Sequence, residues 1–306
     1  MGIFWLSWVL GLSLLVGLGC SDLIVVILWM EVTLFTFIFM LYTHKLLTYS
    51  SPSIKYFLVQ TIGSMILLLF ALSGYMLVVP GTWSKVIMLF GLSMKLGTFP
   101  VHFWVVPTTM ELPFSMVGIL GVPMKILPLS VFYSVINNNM TKEFWMIVLC
   151  LGVGSMLMGV FLGLKNNTLR GVLGASSITH SGWFFFALVS LDMIAYFVLY
   201  SLTLLLLIGS LIMYENGIIS LSLYALSGLP PFALFFGKMM VLLNLFKMCA
   251  PMLFMFYALL SAVLSLYYYL KYSFMFFLMM KQITKVSYVV SLLFMLNLLV
   301  MYEFMA

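Results

Sequence analysis

Five side chains able to hold or exchange a proton stand inside otherwise apolar runs of this sequence. Glu31 lies in VVILWMEVTLFTF, Lys95 in LSMKLGTFPVHFW, Lys125 in GVPMKILPLS, His180 in SSITHSGW and Lys238 in GLPPFALFFGKMM. A carboxylate, three amines and an imidazole are the groups from which intramembrane proton relays are built. The chemistry they suggest is the passage of protons between fixed sites. Each of the four charged groups costs about 2.5–3.5 kcal/mol at the centre of a bilayer, roughly 10–14 kcal/mol together. That sum rivals the stability of a whole domain.

Three lysines and one carboxylate cannot all neutralise one another within the chain, so the set reads as a polar track through the membrane plane. An isolated Glu–Lys pair serves equally well as structural glue, and a lone histidine among serines can satisfy a local hydrogen bond. Helix breakers sharpen the first reading. Gly97 and Pro100 follow Lys95 in KLGTFPV, and Gly228, Pro230 and Pro231 precede Lys238 in SGLPPF. Proline removes a backbone donor and clashes with the preceding turn. Both spans should therefore be interrupted, and irregular backbone at that depth is tolerated only against protein or a water-filled cavity. Half-helix ends there present partial charges to ions.

The elements that must position these groups follow from composition. Of 306 residues, 65% are hydrophobic and 7% charged, against roughly 45–50% and about 25% in soluble domains. Too few polar residues exist to cover a core of this size, which identifies a polytopic membrane protein. About 20 apolar residues cross the hydrocarbon layer. Eleven spans result: 3–20, 23–42, 56–79, 82–106, 113–136, 143–163, 171–190, 193–213, 218–247, 251–272 and 286–304. The runs lack the period-two alternation of barrel strands, so the fold class is an all-α polytopic bundle. The first twenty residues have neither a basic start nor a small-residue cleavage site and are read as a span.

With eleven spans, Lys45, Lys55, Lys165, Arg170, Lys271, Lys281 and Lys285 share one side of the membrane. Lys85, Lys142 and Lys247 fall on the other, with Asp22, Glu143, Asp192 and Glu303. The basic excess puts the N-terminus on the positive side. If 1–136 and 143–272 are two five-helix repeats followed by a helix at 286–304, each break takes the fourth place of its repeat. Glu31 and His180 then take the second place of each. An odd helix number per repeat inverts the copies, an arrangement that marks ion sites in transporters.

Cys20, Cys150 and Cys249 stand singly, with no CxxC and no Cys/His cluster. That pattern argues against iron–sulfur or zinc ligation and against a disulfide framework. Twelve lysines against one arginine, with 27 Met and 28 Phe, suggest an A/T-rich organellar gene.

The stretches KYFLVQ (55–60), MKLGTFPVHFW (94–104), MKILPLSVFY (124–133), LRGVLGASSITHSGW (169–183), GLPPFALFFGK (228–238) and LSLYYYLKYS (264–273) carry a further resemblance. They are similar to those of the mitochondrially encoded subunit 2 family of NADH:ubiquinone oxidoreductase (respiratory complex I), relatives of the antiporter-like membrane subunits. The resemblance implies a proton-translocating membrane-arm subunit with two inverted five-helix units, each with a discontinuous helix. By the same resemblance Glu31 is the carboxylate partner of Lys95, and Lys125 a bridging lysine. His180 then lies on a central polar axis, and Lys238 is the distal lysine.

It implies no cofactor in this chain, with NADH, FMN, iron–sulfur clusters and ubiquinone on other subunits. The implied partners are the other membrane-arm subunits and the lipid bilayer, with no nucleic acid and no soluble substrate bound directly. The implied location is the mitochondrial inner membrane, with the N-terminus on the matrix side. Two features depart from the family pattern: Gly171 follows Arg170 where a basic residue is usual, and VVPTTMELP offsets Pro107 and Glu111. His44 and His102 read as interfacial and stay off the relay. A free-standing cation/proton antiporter, and a structural subunit with a vestigial polar axis, remain the rival readings.

Overall fold

A computed structural model describes residues 2–43, 50–76, 81–138, 141–230 and 232–279. All regular structure among them is α-helical. The predicted span at 286–304, together with His44, Lys45, Pro231, Lys281, Lys285 and Glu303, lies outside the described residues. Two compact units divide the chain, Met1–Thr141 and Lys142–Ala306.

The first unit contains α1 (Gly2–Gly19), α2 (Leu23–Thr43), α3 (Ser50–Met76), α4 (Gly81–Leu96), α5 (Val105–Glu111), α6 (Phe114–Gly121) and α7 (Pro123–Asn138). The second contains α8 (Lys142–Lys165), α9 (Leu169–Val189), α10 (Met193–Met213), α11 (Asn216–Ser227), α12 (Ala233–Lys247) and α13 (Met252–Leu278). Seven helical stretches among the described residues are long and apolar enough to cross a bilayer. The protein is a multi-pass membrane protein.

Helix is the only open-ended backbone solution in hydrocarbon, because it satisfies its own N–H and C=O groups. The chain also satisfies its buried hydroxyls within each helix. Thr33 donates to the Met30 carbonyl at 2.7 Å, Ser155 to Gly152 at 2.7 Å and Ser176 to Leu173 at 2.8 Å. Such back-bonding lets serine and threonine sit in an apolar core. The outward faces are apolar. On α1, Trp5, Trp8, Leu12 and Leu15 are all exposed and recur at helical spacing, forming a lipid-facing stripe.

Helix α9 is different. Every residue from Gly171 to Val189 is buried, which is the mark of a helix enclosed by others. In the second unit it packs against α8, α10, α12 and α13. Small residues allow the closest of these approaches. A Cβ added at Gly159 of α8 would stand 2.6 Å from Thr179 Cγ2 and 2.7 Å from the Thr179 backbone nitrogen. One added at Gly182 of α9 would stand 2.5 Å from Ser155 Oγ and 2.6 Å from the Gly152 carbonyl oxygen.

Both anticipated breaks are present. The 82–106 run leaves the helix after Leu96 and re-enters it at Val105, and the 218–247 run divides between Ser227 and Ala233. Gly97 and Gly228 sit at φ +68° and +76°, left-handed values that an L side chain adopts only with strain. A third break was not anticipated. The 113–136 run is divided at Val122, which adopts φ −118°, ψ −72° between α6 and α7. Pro123 explains it, because proline disfavours helical geometry in the residue before it and lacks the donor needed to continue. Pro128 lies inside α7 without ending it. Helix α13 also runs past its expected end at 272, reaching Leu278, and Lys271 stands on an exposed helical face.

Candidate functional site

The first unit brings Glu31 and Lys95 into direct contact. Lys95 Nζ lies 3.1 Å from Glu31 Oε1, with side-chain exposures of 3% and 23%. The pair is buried at the lysine and open at the carboxylate. Lys95 occupies the last turn of α4, where a cation also offsets the negative end of the helix dipole. The carbonyls freed by the break find partners. Thr98 N donates to the Ser93 carbonyl at 3.0 Å, and Gln60 Nε2 of α3 donates to the Lys95 carbonyl at 3.2 Å. A buried aromatic column stands beside the pair: Phe37, Tyr56 and Trp104 meet edge-on at centroid separations of 5.1 and 5.4 Å.

Lys125 is buried near the start of α7, three residues past the Val122 break. Helix α7 packs on α2 and on α4, the two helices that carry Glu31 and Lys95. The three charged groups of this unit therefore occupy one packed cluster of helices.

The second unit holds His180 and Lys238. His180 is 2% exposed, and both its ring nitrogens have phenol partners: Nδ1 with Tyr196 Oη at 2.9 Å and Nε2 with Tyr269 Oη at 3.3 Å. Two flanking hydroxyls of this kind let an imidazole accept on one nitrogen and donate from the other. The Tyr200 ring stacks obliquely at 4.8 Å from the imidazole.

Lys238 Nζ donates to the Ser227 carbonyl at 3.0 Å, bonding the last residue of α11 from the second half-helix. Its ammonium also lies 5.7 Å from the Trp183 ring centroid, a cation–π separation. Trp183 stacks with Tyr196 at 6.2 Å, so the Lys238 and His180 environments share one aromatic wall. A Cβ at Gly228 would stand 2.8 Å from Lys238 Nζ. Glycine is favoured there by the backbone conformation, and a side chain would also displace the end of Lys238.

The NADH:quinone oxidoreductase/Mrp antiporter membrane family has a sequence pattern that matches residues 20–224. The chain is 35% identical over 282 residues to NADH-ubiquinone oxidoreductase chain 2 of Albinaria caerulea, covering 90% of each chain. It belongs to the NADH:quinone oxidoreductase/Mrp antiporter family. Among solved structures, the fold matches a chain of respiratory complex I from Thermus thermophilus with a TM-score of 0.78 at 20% identity. That match covers 89% of this chain and 70% of the other. A chain of the Mrp complex from a Dietzia species matches with a TM-score of 0.75 at 15% identity, over 87% of this chain and 59% of that one.

Within this family member, several residues close to the charged groups escaped sequence reasoning. Gln60, Trp183, Tyr196 and Tyr269 each touch a group singled out by its charge or its imidazole. Their signal was spacing. Trp183 lies one turn beyond His180, and Tyr196 and Tyr200 lie one turn apart on α10, which places each pair on one helical face. Aromatic residues are too common in this chain for type alone to mark them.

Proposed function

We propose that this chain is a proton-translocating, non-redox membrane-arm subunit of respiratory complex I. It couples NADH-to-ubiquinone electron transfer on other subunits to proton movement through Glu31, Lys95, Lys125, His180 and Lys238. The observation that carries the reading is the 3.1 Å Glu31–Lys95 pair set against a broken helix end. At an effective dielectric near 20, two unit charges at that separation interact by about 5 kcal/mol. Opening the pair unmasks both charges, and Lys125 on the helix packed against α2 and α4 is the amine placed to respond.

In this mechanism, separation of the pair raises or lowers the proton occupancy of Lys125. The proton then passes by water to His180, whose two phenol partners relay it, and on to Lys238. NADH, FMN, iron–sulfur clusters and ubiquinone bind other subunits, and the energy of quinone reduction arrives along the membrane arm. The stretches 1–136 and 143–272 are two five-helix repeats of inverted topology. The membrane is the mitochondrial inner membrane, with the N-terminus on the matrix side.

The test is proton uptake per NADH oxidised in sealed inner-membrane vesicles carrying Glu31→Gln. Assembly is checked on a native gel by NADH dehydrogenase staining. Uptake reduced at least several-fold in an assembled complex is expected. Unchanged uptake would favour a structural subunit with a vestigial axis. The family description, which also names the Mrp antiporter, favours one alternative, a cation/proton antiporter, which predicts that the chain never migrates in the NADH-active band.

A further inference from the structure

The break between α4 and α5 contains polar groups that the relay above does not use. Thr98 Oγ1, His102 Nδ1 and Trp104 Nε1 are buried atoms with no hydrogen-bond partner among the described residues. Thr98 is 0% and Trp104 4% exposed, so two of the three belong to fully enclosed side chains. Leaving a buried donor or acceptor unsatisfied costs about 1–3 kcal/mol. Three such atoms within seven residues call for water as the missing partner.

The same segment touches the ion pair's surroundings. The Trp104 indole packs on Gly97, two residues past Lys95: a Cβ there would stand 3.0 Å from Trp104 Cζ2 and 3.4 Å from Cε2, the carbon bonded to the indole nitrogen. Trp104 meets Tyr56 edge-on, and Tyr56 is close enough to Glu31 to feel its charge. His102 is unlike its neighbours. It is half-buried, its ring stacks on Phe99 at 6.2 Å and lies near the Pro100 carbonyl, and its Nδ1 is enclosed. A half-buried side chain with an enclosed Nδ1 reaches from the protein's boundary inward.

We propose that His102 is a proton-loading residue of the first unit, passing protons through water held by Thr98 and Trp104 towards the Glu31–Lys95 pair. The inference rests on the function proposed above. The step balances simply. The outer ring nitrogen takes a proton, Nδ1–H releases its own to a water molecule, and that water protonates the neutral Lys95 amine. Thr98 and Trp104 hold the water, with the indole N–H as donor and the hydroxyl as donor or acceptor. The imidazole is left neutral with its proton on the outer nitrogen, and exchange of the two tautomers through water resets it.

The experiment compares His102→Ala, Thr98→Val and Lys95→Met in the assembled complex, following proton uptake and NADH oxidation in sealed vesicles. His102→Ala should slow uptake several-fold, and added imidazole should restore at least half of it, a rescue that a packing role would not give. Infrared spectra of wild-type complex should show a water O–H band that shifts in H₂¹⁸O and is lost in Thr98→Val. An assembled His102→Ala variant with wild-type uptake, or no such band in the wild type, overturns the proposal. If His102→Ala fails to assemble, His102→Gln decides, because it keeps polar bulk but cannot carry the proton; normal uptake there overturns the proposal as well. Lys95→Met separates the two readings. Loss in Lys95→Met with none in His102 variants removes only the loading role, whereas no loss in Lys95→Met removes the relay itself.

Discussion

At Lys95 an amine that is 3% exposed is held by one carboxylate. Removing either partner strands the other, and breaking a buried pair in this way costs about 3–5 kcal/mol. Lys95→Met should therefore lower the thermal stability of the assembled complex as well as stall uptake, and Glu31→Leu should do the same. The double variant should recover part of the lost stability but none of the uptake, a non-additivity that a double-mutant cycle reads directly. Additive stability losses would show that the pair does not act as one. Lys238→Met makes a milder case, because its partner is a neutral carbonyl and an aromatic face. It should stall uptake with a stability loss of about 1.5–3 kcal/mol, the size expected for a single hydrogen bond to a charged group. The charged residues were legible in the sequence because lipid makes charge expensive, so each had to have a reason. The phenols on His180 and the indole under Lys238 were not legible, since Tyr and Trp are ordinary lipid-protein residues until a fold places them.

Among the elements, breaks and seams are the places where one side chain decides an architecture. Gly97→Ala should destabilise the first unit by more than the roughly 1–2 kcal/mol of left-handed backbone strain, because the new Cβ would also fall 2.3 Å from Val105 Cγ2. Gly159→Leu presses on a backbone nitrogen of α9, which cannot turn aside as a flexible side chain can. Overpacking of this kind costs typically 1–3 kcal/mol and often more. The prediction is loss of the NADH-active band on a native gel for Gly159→Leu, with Cys150→Ala as a control. Cys150 is exposed on the same helix and its replacement should change nothing measurable. Hydropathy sufficed to find the long helices, since bilayer thickness fixes their length. The α6–α7 division was harder to see because Pro123 and Pro128 look alike in sequence, and only one of them ends a helix.

For the molecule as a whole, the asymmetry of basic residues makes a claim about sides. The Asn166–Asn167 turn between α8 and α9 adjoins Lys165 and Arg170, while Leu191 and Asp192 occupy the turn at the other end of α9. Single cysteines at Asn167 and Leu191, introduced into a cysteine-free background, should react with a membrane-impermeant maleimide from opposite faces, Asn167 from the positive one. Labelling of both from one side would refute the assigned topology. Composition settled the membrane class before any residue was placed, because a chain with 7% charge has nothing else with which to face water. It could not show which helix would be enclosed.

That enclosed helix has a consequence for biogenesis. α9 is the least apolar of the seven long spans and the one with no face to the lipid. Entering the bilayer alone, it would expose serines, a histidine and the glycine notch at Gly182 to hydrocarbon, with a weaker drive to leave the insertion channel than its neighbours have. It gains its place by being received: α8, inserted just before it, already presents the matching notches. The order of synthesis thus supplies a docking surface at the moment α9 emerges, and a ribosome paused between the two would leave α8 with its seam facing lipid and no occupant.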